Sequence, residues 1–325
     1  MAYQNVGTPR FYVNVYEWAN SIGMNVMEDG STFNPVLNTL PVIPKDFGPY
    51  MGGSPGTGNL IDLNNYVPEI SSTNPYPCFA AILGHTFESN WGLNNAGSPV
   101  KEVINRSPGN GGYKGFSIIK TKNLATRAYS AEPPDTRYVG SAVLGVCYDM
   151  PHSPDLKLTM TREMDGVKRI RTKGGADLVN YKYKKPAMWG DAGAWELYQG
   201  SGDSSWHGLA RSGRRVWNLS FSYLQDSDVF PDVSSLANYE TISPGGTTWD
   251  NSMSITDNTL LNEDTFYSQV IHKTNGGQLP FIFQPDGSNN NPDGFAICKF
   301  DMKEFKFDQV TNGVYNIKLK IREVW

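Results

Sequence analysis

Val216-Trp217-Asn218-Leu219-Ser220-Phe221-Ser222-Tyr223 alternates from Trp217 on, with Trp, Leu, Phe and Tyr on one parity and Asn and two Ser on the other. Strand side chains point to opposite faces at period two, so this octapeptide predicts a strand with one apolar and one wet face. Tyr315-Asn316-Ile317-Lys318-Leu319-Lys320-Ile321-Arg322 repeats the pattern with a basic outer face. Between them, Phe281-Ile282-Phe283 and residues 295–300 and 304–307 add strand-like runs at short spacing. Parity flips between Phe300/Met302 and Phe305/Phe307, which demands a bulge or tight turn there. The last third therefore reads as antiparallel sheet covered on one side, with Trp217, Leu219, Phe221, Phe281, Phe283, Ile317 and Leu319 in its core.

The totals agree with this. A chain of 325 residues is long enough for a sizeable core. Gly (33) and Pro (21) together exceed their average usage of roughly 12%. Charged residues make up 18%, below the roughly 25% of a typical domain. Such a chain suits short strands, many turns and large loops. The net charge of −4 and the lack of a long basic run argue against a nucleic-acid partner. The densest basic stretch, Lys168-Arg169-Ile170-Arg171-Thr172-Lys173, reads as the wet face of a strand. The start carries neither a charged block nor an apolar block, so no signal peptide is expected. No window holds 18 consecutive apolar residues, so no membrane insertion is expected. Cys78, Cys147 and Cys298 are odd in number and widely spaced, which favours buried free thiols over a disulfide framework or a zinc site.

Read from the start, residues 10–19 begin as a strand (Phe11, Val13, Val15) and turn helical near Tyr16-Glu17-Trp18-Ala19. Residues 20–77 lose periodicity and read as an extended arm that orders against a neighbour. Residues 78–83 form a short buried strand, and a second loop spans residues 90–112. Strand-like runs follow at 116–119, 127–129 and 138–148. Leu156-Lys157-Leu158-Thr159-Met160 alternates and leads to Asp165-Gly166, a hairpin signal that would set Glu163 opposite Lys168 and Arg162 opposite Arg169. Residues 266–272 fit either helix or strand. Helical stripes are otherwise nearly absent. The expected fold is mainly β: an antiparallel β-sandwich or small barrel with long loops and an extended N-terminal arm. Three segments are expected: 1–77, strand and arm; 78–210, a β-rich sandwich or insertion with large loops; 211–325, the C-terminal antiparallel domain.

The C-terminal order, with Trp217-x-Leu219-x-Phe221, then Gly276-Gly277-Gln278-Leu279-Pro280-Phe281-Ile282-Phe283, then Tyr315-x-Ile317-x-Leu319-x-Ile321-x-Glu323-x-Trp325, resembles the tail and baseplate structural proteins of tailed bacteriophages. The resemblance covers residues 211–325. The opening Asn5-Val6-Gly7-Thr8-Pro9-Arg10-Phe11-Tyr12 resembles the start of virion structural proteins of marine, myovirus-like phages. The resemblance implies a non-enzymatic component of a virion tail, baseplate or neck, assembled in the host cytoplasm. It further implies a homo-oligomeric ring around a tail axis, with copies of itself and other virion structural proteins as partners. The large loops within residues 20–210 depart from a minimal tail-ring protein. The resemblance carries no catalytic residues to transfer.

Candidate chemistry is sparse. Asp203, Ser204, Ser205 and His207 cluster in sequence, but no nucleophile elbow frames them, and a surface turn is the simpler reading. Asp149, His152 and Asp155 could bind a divalent cation, although two prolines and a serine among them favour a connecting loop. Asp286, Asn289, Asn290, Asn291 and Asp293 offer oxygens for Ca²⁺ without EF-hand spacing. No cofactor and no metal is assigned. Trp189, Trp195, Tyr198 and Trp206 crowd one loop region beside carboxylates. They suit a protein interface, core packing under a loop, or a surface-glycan site, and the last makes a carbohydrate-binding sandwich for host recognition the alternative function.

Overall fold

The computed structural model describes residues 6–23, 48–49, 67–72, 74–85, 93–94, 100–106, 115–122, 127–128, 138–163, 168–180, 213–232, 259–291 and 294–324. Strand β1 (Arg10–Asn14) runs straight into helix α1 (Val15–Ser21). Asn14 makes the switch, because its backbone is extended and its side-chain oxygen accepts from the Glu17 N–H as an N-cap. Then come β2 (Gly48–Pro49), β3 (Cys78–His85), β4 (Leu93–Asn94), β5 (Val100–Arg106), β6 (Gly115–Thr121), β7 (Arg127–Ala128) and β8 (Tyr138–Asp149). Strands β9 (Thr159–Glu163), β10 (Lys168–Arg171), β11 (Asp177–Asn180) and β12 (Arg214–Gln225) follow. Short helices α2 (Asp226–Val229) and α3 (Thr259–Asn262) precede a π-helical turn at Tyr267–Ile271 and a 3-10 turn at His272–Thr274. Strands β13 (Phe281–Gln284), β14 (Ala296–Phe300), β15 (Phe307–Thr311) and β16 (Val314–Glu323) close the described chain.

Twelve strands make one antiparallel sheet in the order β5-β6-β3-β8-β1-β13-β14-β16-β12-β9, with β2 on β8 and β15 on β16. The fold is thus mainly β, as the alternation predicts. Strand β1 lies mid-sheet, where Phe11 pairs with Tyr148 of β8 on one side and Phe283 of β13 on the other. One continuous sheet therefore spans the N-terminal strand, the central segment and the C-terminal segment.

Both faces of its centre are buried. Phe11 and Val13 join one apolar cluster with Trp217, Leu219, Phe221, Phe281, Phe283, Ile317, Leu319 and Ile321. Tyr12 joins a second cluster on the opposite face with Phe79, Leu83, Cys147, Ile282, Phe295 and Ile297. The first cluster is covered by α1 and by the helical turns that carry Phe266 and Val270. The rings of Trp217 on β12 and Phe283 on β13 lie 5.3 Å apart. Two intervening strands would separate them by about 14 Å on a flat sheet at about 4.8 Å per strand. The sheet must therefore curl until its C-terminal half faces its middle, which gives a sandwich-like layering.

Four sequence expectations are corrected. Asp165-Gly166 lies outside the described residues, but the pairing expected across it is not the one found: β9 pairs with β12, Met160 opposite Trp217, while β10 pairs with β11. Packing of Leu158 and Met160 against the first apolar cluster outweighs the local turn signal. Arg162 faces Arg215 instead of Arg169, and Arg215 is neutralised by Glu323. Second, the loop expected over residues 90–112 contains β5. Third, the alternation at residues 156–160 yields strand only from Thr159, leaving Leu156 wholly exposed at 102%. Fourth, the apolar parity of β12 breaks at its end. A bulge between Phe221 and Leu224 turns Tyr223 outward at φ 63 with 73% exposure, and Leu224 takes the inward place at 1%.

Candidate assembly surface

Strands β5 and β9 are the outermost of the sheet path among the described residues, so each presents one backbone edge without a neighbouring strand there. Unpaired N–H and C=O groups on such edges are templates for pairing with another chain. The β9 edge is rigidly backed. Glu163 accepts from Arg322 Nε at 2.8 Å and from Arg322 Nη2 at 2.7 Å, reaching across β12 to β16.

The second feature is the β10–β11 ribbon, a separate two-stranded sheet. Its turn is set by Thr172, whose N–H donates to Ala176 O at 2.9 Å and whose hydroxyl accepts from the Ala176 N–H at 3.1 Å. Gly175 supplies the positive φ of 83 that the turn requires. Ile170 and Leu178 are direct cross-strand partners on one face, 62% and 59% exposed. Arg169 and Arg171 take the other face opposite Val179 and Asp177. The basic run Lys168–Lys173 thus does form the wet side of a strand, but its single isoleucine is wet too.

The third feature is a knob at the β12 bulge. The Tyr223 N–H donates to Asn316 Oδ1 at 3.0 Å, which fixes the backbone that aims the ring outward. Ser222 Oγ donates to Asp155 Oδ2 at 2.8 Å and Asp155 N–H to Ser220 O at 2.8 Å, so the loop carrying exposed Leu156 is tied beside it.

Of the candidate chemical groups, Asp149 pairs with Arg10, whose Nη2 donates at 2.9 Å, and lies 3.7 Å from Lys120. His152 Nδ1 meets Ser153 O at 2.7 Å, and Asp155 is held by Ser222. The three do not converge. Asp286 Oδ1 accepts from Ser288 N–H and Oγ, and Asn289 Oδ1 from Asn291 N–H and Nδ2. Gln284 Nε2 donates to Asn289 O and Asn290 Oδ1. Asp286 Oδ1, Asn289 Oδ1 and Asn290 Oδ1 are thus each engaged within the protein. Among the described residues no group of three His, Cys, Asp or Glu is arranged to hold a metal. Trp189, Trp195, Tyr198, Trp206, Asp203, Ser204, Ser205, His207 and Asp293 lie outside the described residues.

All three cysteines are buried free thiols. Burial pushes Cys78 up to about 12 and Cys147 up to about 11, so neither is a thiolate near neutral pH. The group that sequence reading missed is Lys273, 0% exposed, whose Nζ donates to Leu261 O at 2.7 Å and to Gln269 Oε1. Burial lowers its amine to about 7. A neutral amine has two N–H groups, and two acceptors receive them. The arrangement fastens α3 to the helical turns, and its total burial leaves the amine no route to a substrate. No sequence signal marked it, because a lysine amid polar residues normally sits in water.

No protein-family model, no curated protein and no solved structure matches this chain.

Proposed function

We propose that the chain is a non-enzymatic structural component of a phage virion tail, baseplate or neck, assembling as a homo-oligomeric ring through sheet edges, aromatic anchors and arms. The observation that carries the assembly reading is the β10–β11 ribbon. A lone two-stranded ribbon is marginal in water, and this one turns Ile170 and Leu178 outward together. Such an element gains its stability when another surface covers it. The position of β5 and β9 as outermost strands among the described residues favours the same reading. The virion assignment rests on the resemblance of the strands bearing Trp217, Phe281, Phe283 and Ile317. Those residues all lie in one buried cluster, in keeping with a shared scaffold.

The test is mass in solution by light scattering, followed by negative-stain imaging of the purified chain. Rings or stacked rings are expected. A monodisperse monomer at tens of micromolar would overturn the assembly reading.

A further inference from the structure

The geometry points to a head-to-tail contact in which the basic β10–β11 ribbon of one copy docks on the acidic end of the next, formed by α2, the residues after it and β15. This rests on the assembly reading above and adds the surfaces that meet. The ribbon carries Lys168, Arg169, Arg171 and Lys173 against a single acid, Asp177, which lies 3.8 Å from Arg169. Every ribbon residue of described burial except Thr172 is exposed. On the face that bears Arg169 and Arg171, Val179 lies opposite Arg169 and is 42% exposed, so this face calls for a partner that is acidic with an apolar centre.

The same chain displays such a surface. Asp226, Asp232 and Asp308 are exposed there, with Asp228 and Glu263 half-buried beside them. Several contacts join these into one patch. The Asp226 N–H donates to Gly313 O at 2.8 Å, and the Asp232 N–H to Glu263 Oε2 at 2.8 Å. The Phe230 ring packs 4.8 Å from Phe307 of β15 and 5.3 Å from Tyr315 of β16. Lys306 offsets one charge by pairing with Asp308 at 2.7 Å. On the same strand Val310 is 48% exposed, an apolar counterpart for Val179. Opposite charge across such a contact steers encounter and fixes register, and the apolar residues supply the area. Two different patches meeting on successive copies make a heterologous contact, which closes into a ring when its rotation permits and runs on as a filament otherwise.

Charge reversal tests it on the full chain by sedimentation, with circular dichroism and thermal melting as folding controls. Arg169→Glu with Arg171→Glu should weaken self-association at least tenfold, as should Asp226→Lys with Asp232→Lys. Both reversals in one chain should restore it. Val179→Ser should weaken association without changing its salt dependence, whereas 1 M salt should weaken the wild-type assembly by screening. Wild-type association by folded ribbon variants would overturn this contact and leave the assembly reading standing. A monomeric wild type would overturn both.

Discussion

Arg215 and Glu323 are bound to each other three times across the β12–β16 seam. The Arg215 backbone N–H donates to Oε2 at 2.9 Å, its Nε to the same oxygen at 3.1 Å, and its Nη2 to Oε1 at 2.9 Å. The remaining reach of Nη2 goes to Phe295 O at 2.7 Å, and the guanidinium lies over the Trp217 ring at 5.3 Å. Little of either side chain is exposed, 12% and 9%. The pair thus clamps the last strand to the strand that carries the core tryptophan.

Breaking that clamp from one side should be costly. Glu323→Ala leaves a guanidinium largely buried beside Trp217, and a loss of about 3–5 kcal/mol is expected in urea unfolding. Arg215→Met with Glu323→Leu should recover most of that loss, because no charge is then left unpaired. Equal destabilisation by the single and double variants would contradict the pairing.

At Gly145 of β8 the β1 backbone leaves no room for a side chain. A Cβ there would sit 1.7 Å from Val13 O and 2.7 Å from Val15 N, both backbone atoms. Gly145→Ala should therefore abolish cooperative folding, because the sheet's central pairing cannot yield by that much. Gly175→Ala meets no atom within 4 Å and carries only the left-handed backbone penalty of about 1–2 kcal/mol. Thermal melts of the two side by side check the contrast.

Tyr223 holds a left-handed backbone that non-glycine residues rarely adopt. Tyr223→Gly removes that cost and loses little packing, since the ring is exposed. Stability unchanged or raised by about 1 kcal/mol is expected, after allowing for the greater unfolded-chain entropy of glycine. Ser222→Gly, beside it, should be destabilising by about 1 kcal/mol. A marked drop in Tyr223→Gly melting temperature would show that the ring is packed.

Lys273 makes stability depend on pH. Its folded-state amine titrates near 7, while the unfolded chain keeps the ordinary value of 10.5. Between those values the unfolded chain binds the extra proton, so stability rises with pH across this window. Below about 7 both states are protonated and the burial cost is fully present. The rise should approach at most about 1.4 kcal/mol per pH unit. Lys273→Met should flatten it, as measured by chemical unfolding at pH 7, 8 and 9. An identical pH slope in the variant would assign the dependence to other groups.

Trp217 tests the sheet's curl. Its ring is 2% exposed and meets Phe283 edge-on at 5.3 Å, three strands away along the sheet. Trp217→Ala should cost about 3–5 kcal/mol. Unchanged thermal stability would remove this residue from the core.

Much of the sheet was legible in residue order. The alternation of β16 put Ile317, Leu319 and Ile321 inside, and all three are buried. Phe11 and Val13 signalled β1, and the change at Tyr16-Glu17-Trp18 signalled α1. The parity flip after Phe300 appears as the passage between β14 and β15. The candidate surface was less legible. The basic run was visible, but the exposure of Ile170 was not, because an isoleucine between two arginines reads the same whether its face is covered or bare. Lys273 was invisible for the converse reason: its acceptors are Leu261 O of α3 and Gln269 Oε1 of a turn whose π-helical form no stripe announced.

By itself the sequence determined that this protein is built of strands, where most of them run, and which residues avoid water. These are local properties, written in a two-residue period. Tertiary structure alone decided which strands meet. It put β1 between β8 and β13, gave β9 to β12 rather than to its neighbour β10, and turned Tyr223 out so that Leu224 could turn in. The reason is that a strand's alternation fixes its faces but leaves its edges equivalent. The choice of partner is made by how much apolar surface the whole sheet buries once it curls on itself.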